Sequence, residues 1–367
     1  MSAPAERPHV QGLLPEEVLE RVSRPRGATR LAERFVRAVF RERAAGFDGV
    51  RGIRAESVER LRGLFTFEPL QVVDVRGSPR DRTRKFVFEL EDGARIETVH
   101  IPNRDHATIC LSSQVGCAYD CRFCATAQLG FRRNLEAWEI VEQVLRVQAD
   151  SPGRITDVVF MGMGEPFLNY ERVLRAARIL NHERAGCIGA RNITISTSGV
   201  VKAIRRFTAE GHKYRLMFSL HSADPARRAA LLPALGPGHL EELLPAVADY
   251  ARSTGGRRWM TLEYTAIQGV NMGDEDVEAM RRNLTGFKYL VNVIPWNPFP
   301  GAPDGFRAPT RAEVTAFVGK LRALGAPIKV RYSGGREIGA ACGQLAFHHE
   351  VDAPQYEMPE DSPLIVL

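Results

Sequence analysis

Apolar residues recur at three- and four-residue intervals in three stretches near the start of the chain, PEEVLERV (15–22), RLAERFVRAVFRER (30–43) and AESVERLRGLF (55–65). That spacing lines one face of a helix and predicts a small helical module over residues 1–66. The pattern then changes to alternation in PLQVVDV, RKFVFELED and RIETVHIP, with turn formers at Gly77-Ser78-Pro79 and Asp92-Gly93. Alternation broken by such turns predicts a short antiparallel β extension over 67–104.

From about 105 to 345 short apolar runs alternate with helical stretches. The runs are ATICLSS, ITDVVFM, NITISTS, YRLMFSLHS, WMTLEYTAI, YLVNVIP and IKVRYS; the helical intervals are 135–149, 170–183, 200–208, 239–253, 274–284 and 310–324. Strand–helix alternation belongs to parallel βα units, so the class is α/β. About six units predict a partial (β/α)6 TIM-like barrel, whose functional groups gather at the C-terminal ends of the strands. Residues 346–367, rich in proline and acidic side chains, read as a C-terminal tail.

Composition narrows this little. A hydrophobic fraction of 44% and a charged fraction of 26% suit a soluble enzyme. No run reaches the roughly 18 to 20 apolar residues of a membrane span, and MSAPAERPHVQGLLPEEV lacks the features of a secretory signal, so a cytoplasmic protein without membrane attachment is expected. The net charge of +6 suits an anionic partner such as RNA, although the excess is carried by 44 Arg against 6 Lys. Arg34, Arg37, Arg41 and Arg43 of the helical module, and the group Arg80, Arg82, Arg84, Lys85, Arg132 and Arg133, are candidate phosphate contacts or simply solvated charges.

The chemistry concentrates in CLSSQVGCAYDCRFC, where four of the six cysteines fall within fifteen positions. In a reducing compartment such clusters are ligands or catalysts more often than disulfides. Structural zinc usually takes four ligands in two separated pairs. The compact C-x3-C-x2-C trio of Cys117, Cys121 and Cys124 instead suits an iron–sulfur cluster that keeps one iron open. VVFMGMGEP (158–166) follows a strand with a Gly-x-Gly-Glu turn in which Gly164 permits close backbone approach and Glu165 can accept protons from an amino group. A dinucleotide fingerprint is excluded there by the missing third glycine and by Pro166. ISTSG, FSLHS and IPWNPFPG end three later strands with Ser196, the Ser219-Leu220-His221 run and Asn297, residues suited to holding a sugar or carboxylate. Cys187, alone in a loop, reads as structural or incidental.

The trio, with Phe123 before its last cysteine, resembles the radical S-adenosylmethionine (SAM) superfamily. CLSSQVGCAYDCRFCATAQLGFRRNL, GMGEPFLNY, STSGVV, SLHS, VNVIPWNPFPG and AACGQL more specifically resemble the RlmN-type adenine-C2 RNA methyltransferases, over roughly residues 12–347. The resemblance implies a [4Fe-4S] cluster on Cys117, Cys121 and Cys124, two SAM molecules per turnover, 23S rRNA and tRNA as substrates, a flavodoxin-like electron donor and a monomer. It also implies roles for Cys342, Cys110 and Glu97. Cys342 takes a methyl group from one SAM, and a 5′-deoxyadenosyl radical from the second removes hydrogen from it. The resulting methylene adds to adenine C2, Glu97 removes the C2 proton, and Cys110 resolves the adduct through a transient disulfide.

Two segments depart from that family. Ser333-Gly334-Gly335-Arg336-Glu337 stands where an Arg-Gly-Asp stretch is expected, and ALGPGH (234–239) stands where an Asn and basic residues are expected. Both bear on the RNA target. The alternatives are methylation at C8, a paralogue with another RNA target, a non-catalytic RNA-binding factor, and a radical SAM enzyme acting on a protein or small molecule.

Overall fold

The computed structural model describes residues 7–22, 29–151, 153–255 and 259–347. Three helices open the chain: α1 (Pro15–Val22), α2 (Thr29–Phe40) and α3 (Ala55–Leu64). Then come β1 (Gln71–Gly77), β2 (Arg84–Glu89), β3 (Arg95–Pro102), β4 (His106–Cys110) and the short β5 (Gln114–Gly116) and β6 (Phe131–Asn134). From there helices and strands alternate: α4 (Ala137–Asp150), β7 (Arg154–Phe160), α5 (Tyr170–Asn181), β8 (Ile193–Thr197), α6 (Val201–Glu210), β9 (Arg215–Ser219), α7 (Pro225–Leu231), α8 (His239–Ser253), β10 (Met260–Ala266), α9 (Asp274–Asn283), β11 (Tyr289–Pro295), α10 (Arg311–Leu321) and β12 (Ile328–Val330).

Ten strands form one sheet in the order β1-β2-β3-β4-β7-β8-β9-β10-β11-β12. From β4 onward neighbours are parallel and follow chain order, the arrangement of an open βα barrel with β1 and β12 as its edges. The antiparallel β1–β3 ribbon is continuous with it, since β3 pairs antiparallel with β4 from Val99↔Cys110 to Pro102↔Ala107. Parallel strands covered by helices are apolar on both faces, which is why β8, ITIST, is buried along its whole length.

One hydrophobic core runs from Val10 and Phe35 of the N-terminal region through the sheet to Leu321 of α10. The N-terminal helices are fixed to the barrel by a stack of His9 on Trp138 at 3.8 Å and by Arg175 Nε donating to the Gly12 carbonyl at 2.7 Å. A second, smaller apolar cluster gathers Cys121, Phe123, Leu231, Leu232, Trp296 and Phe299 beneath the cysteine loop. Among the described residues no helix is long and apolar enough to cross a membrane.

Two local features escape the apolar pattern. β5 and β6 are three and four residues long, too short for alternation to register. The seven-residue α7 begins at Asp224, whose carboxylate accepts from the Arg227 amide at 2.7 Å, with Pro225 at the first helical position. That cap signal was readable in the sequence. Residues 348–367, most of the expected tail, lie outside the described residues.

Candidate active site

β5 and β6 form the stem of the cysteine loop, pairing Gln114↔Asn134 and Val115↔Arg133. The stem closes tightly: Cys117 N donates to the Gly130 carbonyl at 2.9 Å, and a Cβ on Gly116 would lie 1.7 Å from that oxygen. The loop is then held from outside. Trp296 Nε1 donates to Phe123 O (3.0 Å), Arg122 N to Leu231 O (3.0 Å), Ala234 N to Asp120 Oδ1 (2.9 Å) and Ala125 N to Gly343 O (2.7 Å).

Cys117, Cys121 and Cys124 line one cavity with Gly164, Glu165, Ser196, Ser219, His221, Asn297 and Cys342. All of these come from strand ends or the segments after them, as expected of the carboxyl side of a βα barrel. Gly164 has φ +100, and a Cβ there would approach Gln114 Cβ to 2.5 Å, so the Gly-x-Gly turn can press against the start of the cysteine loop only without side chains. Glu165 is buried and accepts from the amides of Phe167 (2.9 Å) and Ser198 (2.8 Å). Burial raises its pKa despite those bonds. His221 Nδ1 accepts from Thr265 N at 3.1 Å, which leaves the ring proton on Nε2, and burial pulls its pKa down to about 3, so the ring is neutral. Ser196 Oγ lies 3.2 Å from Ser219 Oγ, and Asn297 Nδ2 donates to the Cys342 carbonyl at 3.1 Å.

Leu220 is the exception among the expected cavity residues. Its side chain is wholly buried in the core, and it contributes backbone: its carbonyl accepts from Arg228 Nε at 3.1 Å. Arg228 had given no sequence signal. It is 2% exposed, and its other nitrogens donate to Ser198 O (2.6 Å) and Ser219 O (3.2 Å) and meet His239 Nδ1 (3.0 Å), joining the ends of β8 and β9 to α8. Glu263, within β10, lies in the cavity wall itself and was likewise unforeseen. Ser196 Oγ donates to it at 3.4 Å and Asn292 Nδ2 at 3.5 Å, and burial raises its pKa.

Cys110 and Cys342 line a further cavity with Val99, Thr108, Met161 and Arg331. Cys342 thus belongs to both. All six cysteines are free thiols, with no disulfide between Cys110 and Cys342. Burial pushes Cys110 and Cys117 up to about 12 and raises Cys121, Cys124 and Cys342 as well. Glu97 lines neither cavity. It is fully buried, paired with Lys85 at 2.9 Å, and accepts from Phe347 N at 3.1 Å, on the same face of β3 as Val99.

The structure overturns one of the candidate phosphate contacts and gives several others an ion-pair partner. Lys85 has no exposed surface. Arg84 is paired with Asp150, and Arg133 bridges Asp92 (2.9 Å) and Glu139 (2.8 Å), pulling Asp92 down to about 2. Arg132 leans on Asp92 at 3.6 Å, and Arg34 and Arg37 share Glu42. Arg80 and Arg82 remain exposed. Gly334 and Gly335, in the segment expected to depart from the family, have a local reason to be glycine: Gly335 N donates to Asp81 Oδ2 at 2.8 Å, and side chains on either glycine would run into Thr83. This clips the segment before Cys342 onto the β1–β2 connection. Cys187 sits in a loop at φ 54 with its thiol on the Glu183 carbonyl, outside both cavities.

Comparison with known proteins matches residues 111–282 to the Radical SAM superfamily. A probable RNA methyltransferase of Anaeromyxobacter sp. is 48% identical over 318 residues, 86% of this chain and 92% of that protein. A probable dual-specificity RNA methyltransferase RlmN of Thermotoga neapolitana is 39% identical over 323 residues, 88% and 93% of the two chains. The crystal structure of a radical SAM methyltransferase from Sphaerobacter thermophilus superposes with a TM-score of 0.86 at 38% identity, covering 92% of this chain and 99% of that one. The chain belongs to the RlmN-type radical SAM RNA methyltransferases.

As a radical SAM RNA methyltransferase it works with a [4Fe-4S] cluster and SAM. The residues present fit both. Among the described residues no three His, Cys, Asp or Glu side chains converge on a single-ion position. Three thiols spread around one cavity suit a cluster in which each binds a different iron. The hydroxyls of Ser196 and Ser219, the Glu165 carboxylate and the Asn297 amide line the same cavity and match the polar groups of a nucleoside joined to an amino acid.

Proposed function

We propose that the chain methylates C2 of an unpaired adenine in 23S rRNA and tRNA, with Cys342 as the thiol that carries the methyl group and Cys110 as the thiol that releases the product. The observation that carries this reading is the membership of Cys342 in two cavities, one with the cysteine trio and one with Cys110. Adenine C2 lacks a lone pair for ordinary displacement on SAM, so a radical route is needed; the cluster and SAM, when bound, supply the 5′-deoxyadenosyl radical.

Every other step belongs to the chain's own residues. Cys342 holds the carbon beside both reactants. Glu97, on the face of β3 that carries Val99, is the proposed acceptor of the C2 proton. The unpaired electron of the adduct passes to an external electron carrier, and Cys110 then attacks the Cys342 sulfur: an S–S bond forms as the sulfur–carbon bond to the RNA breaks, and the released carbon takes a proton to become methyl. An external donor of the flavodoxin class supplies electrons, and the thiols are re-reduced before the next turnover.

The test is nucleoside mass spectrometry of 23S rRNA and tRNA from a host lacking its own adenine-C2 methyltransferase, with and without this protein. Appearance of 2-methyladenosine that vanishes in Cys342→Ala supports the reading and identifies the RNA. 8-Methyladenosine, or no methylated adenosine from a cluster-bearing protein, overturns it.

A further inference from the structure

Large apolar side chains exposed on the surface gather at the cysteine loop. Leu129 is 43% exposed and Phe131 is 50% exposed, with only Gly130 between them, and Leu168, 38% exposed, accepts through its carbonyl from Asn134 at the end of β6 (3.3 Å). Single exposed apolar residues need no explanation, but a group of them on one loop marks a contact surface. Leu129 and Phe131 line neither the cavity of the cysteine trio nor the one with Cys110, so the proposed reaction leaves them uncovered.

Both are tied directly to cluster ligands. Gly130 accepts from Cys117 N at 2.9 Å, and Phe131 pairs with Gly116, the residue before Cys117. The one-turn helix Ala125–Leu129 starts from its cap, Cys124, and ends at Leu129. Electron transfer through protein slows steeply with distance and runs faster along bonds than across gaps. An electron entering at this face therefore has a bonded route to Cys124 and a route of one hydrogen bond to Cys117. Charge suits the same use. From Cys117 to Asn134 the chain carries Arg122, Arg132 and Arg133 against Asp120 alone. Arg133 is engaged by Asp92 and Glu139, whereas Arg122 and Arg132 are exposed.

We infer that this face of the loop is the docking site of the electron carrier, a small acidic protein of the flavodoxin class, whose flavin edge meets Leu129 and Phe131 while its acidic rim meets Arg122 and Arg132. The inference rests on the external electron donor of the reading above and not on which base is methylated. One electron leaves the reduced flavin, which passes from hydroquinone to semiquinone, and the cluster takes it. A small apolar contact among cations matches the limited, charge-steered interfaces of weak electron-transfer pairs. An RNA strand would satisfy the arginines but set its phosphates against two apolar side chains, so the carrier is the better fit.

The test uses cluster-loaded protein, a recombinant flavodoxin, and dithionite as a small reductant that needs no docking surface. Two quantities are read: flavodoxin affinity, from the change in its flavin fluorescence, and the rate of 5′-deoxyadenosine formation from SAM with each reductant. Leu129→Glu and Phe131→Glu should each weaken flavodoxin binding at least about tenfold, by setting a carboxylate against an acidic rim. The rate driven by sub-saturating flavodoxin should fall in step, while the dithionite rate, iron content and RNA affinity stay at wild-type levels. Wild-type binding should weaken as salt rises.

No flavodoxin binding to the wild type, or unchanged binding and an unchanged flavodoxin-driven rate in the folded variants, overturns the docking site. So does lost RNA affinity with carrier binding intact, which assigns the face to RNA. An equal fall with both reductants also overturns it, because the two residues then support the cluster itself. Leu129→Glu, outside any strand, decides if Phe131→Glu fails to fold. If the two rates separate as expected while cellular RNA gains no 2-methyladenosine, the docking site stands and the assigned product fails.

Discussion

Lys85 and Glu97 face each other at 2.9 Å across neighbouring strands with no exposed surface on either side chain. Removing one partner of a buried pair strands the other charge, so Lys85→Met should cost about 3 to 5 kcal/mol in urea unfolding, and Lys85→Met with Glu97→Gln should recover much of it. Glu97→Gln alone separates packing from chemistry. If Glu97 takes the C2 proton, this variant should still load methyl on Cys342 but accumulate a covalent RNA–protein adduct on denaturing gels.

The trio predicts a sharp dependence of iron content on each sulfur. Cys117→Ala, Cys121→Ala and Cys124→Ala should each lose most bound iron and the visible cluster absorbance after reconstitution, while far-ultraviolet circular dichroism stays near wild type because the loop is also held by Trp296, Leu231 and Gly343. Retention of a full complement of iron by any one of them would remove that cysteine from the ligand set.

Gly164→Ala should be disproportionately harmful for one methyl group. The new Cβ would meet Gln114 Cβ at 2.5 Å in a backbone at φ +100, a combination of overlap and strain worth about 2 to 4 kcal/mol. Thermal unfolding and SAM binding by calorimetry should both register it.

Alkaline pH should destabilise the cluster-free protein. Cys110 rises from an ordinary 9 to about 12 through burial. A raised pKa gives stability that is complete below the unfolded value and lost as pH climbs through the folded one. Unfolding free energy should therefore fall between about pH 9 and pH 12, and Cys110→Ala should flatten that fall in urea titrations at several pH values.

The barrel was legible because its strands are short apolar runs capped by helices, and the cavity was legible because glycines, serines and cysteines follow those runs directly. Thr108, Arg228, Glu263 and Arg331 were not, since a single polar residue in or near an apolar run has the same appearance whether it faces solvent or a cavity. Lys85 shows the reverse error. Set among arginines it looks like surface charge, yet cross-strand pairing of Lys85 with Val99 turns it inward onto Glu97. Leu220 was chosen for its place in FSLHS, but the positive φ of the following His221 sends the histidine to the cavity and leaves the leucine in the core.

Since Cys342 forms part of both cavities, under the proposed chemistry it is a partition with a reactant on each side rather than a swinging carrier. The transferred carbon has no journey to make. On the same reading, a change in the choice of RNA would come from the cavity that holds Cys110 and its rim, where Gly334 and Gly335 are clipped to the β1–β2 connection, because any shift of the partition itself would alter both cavities at once.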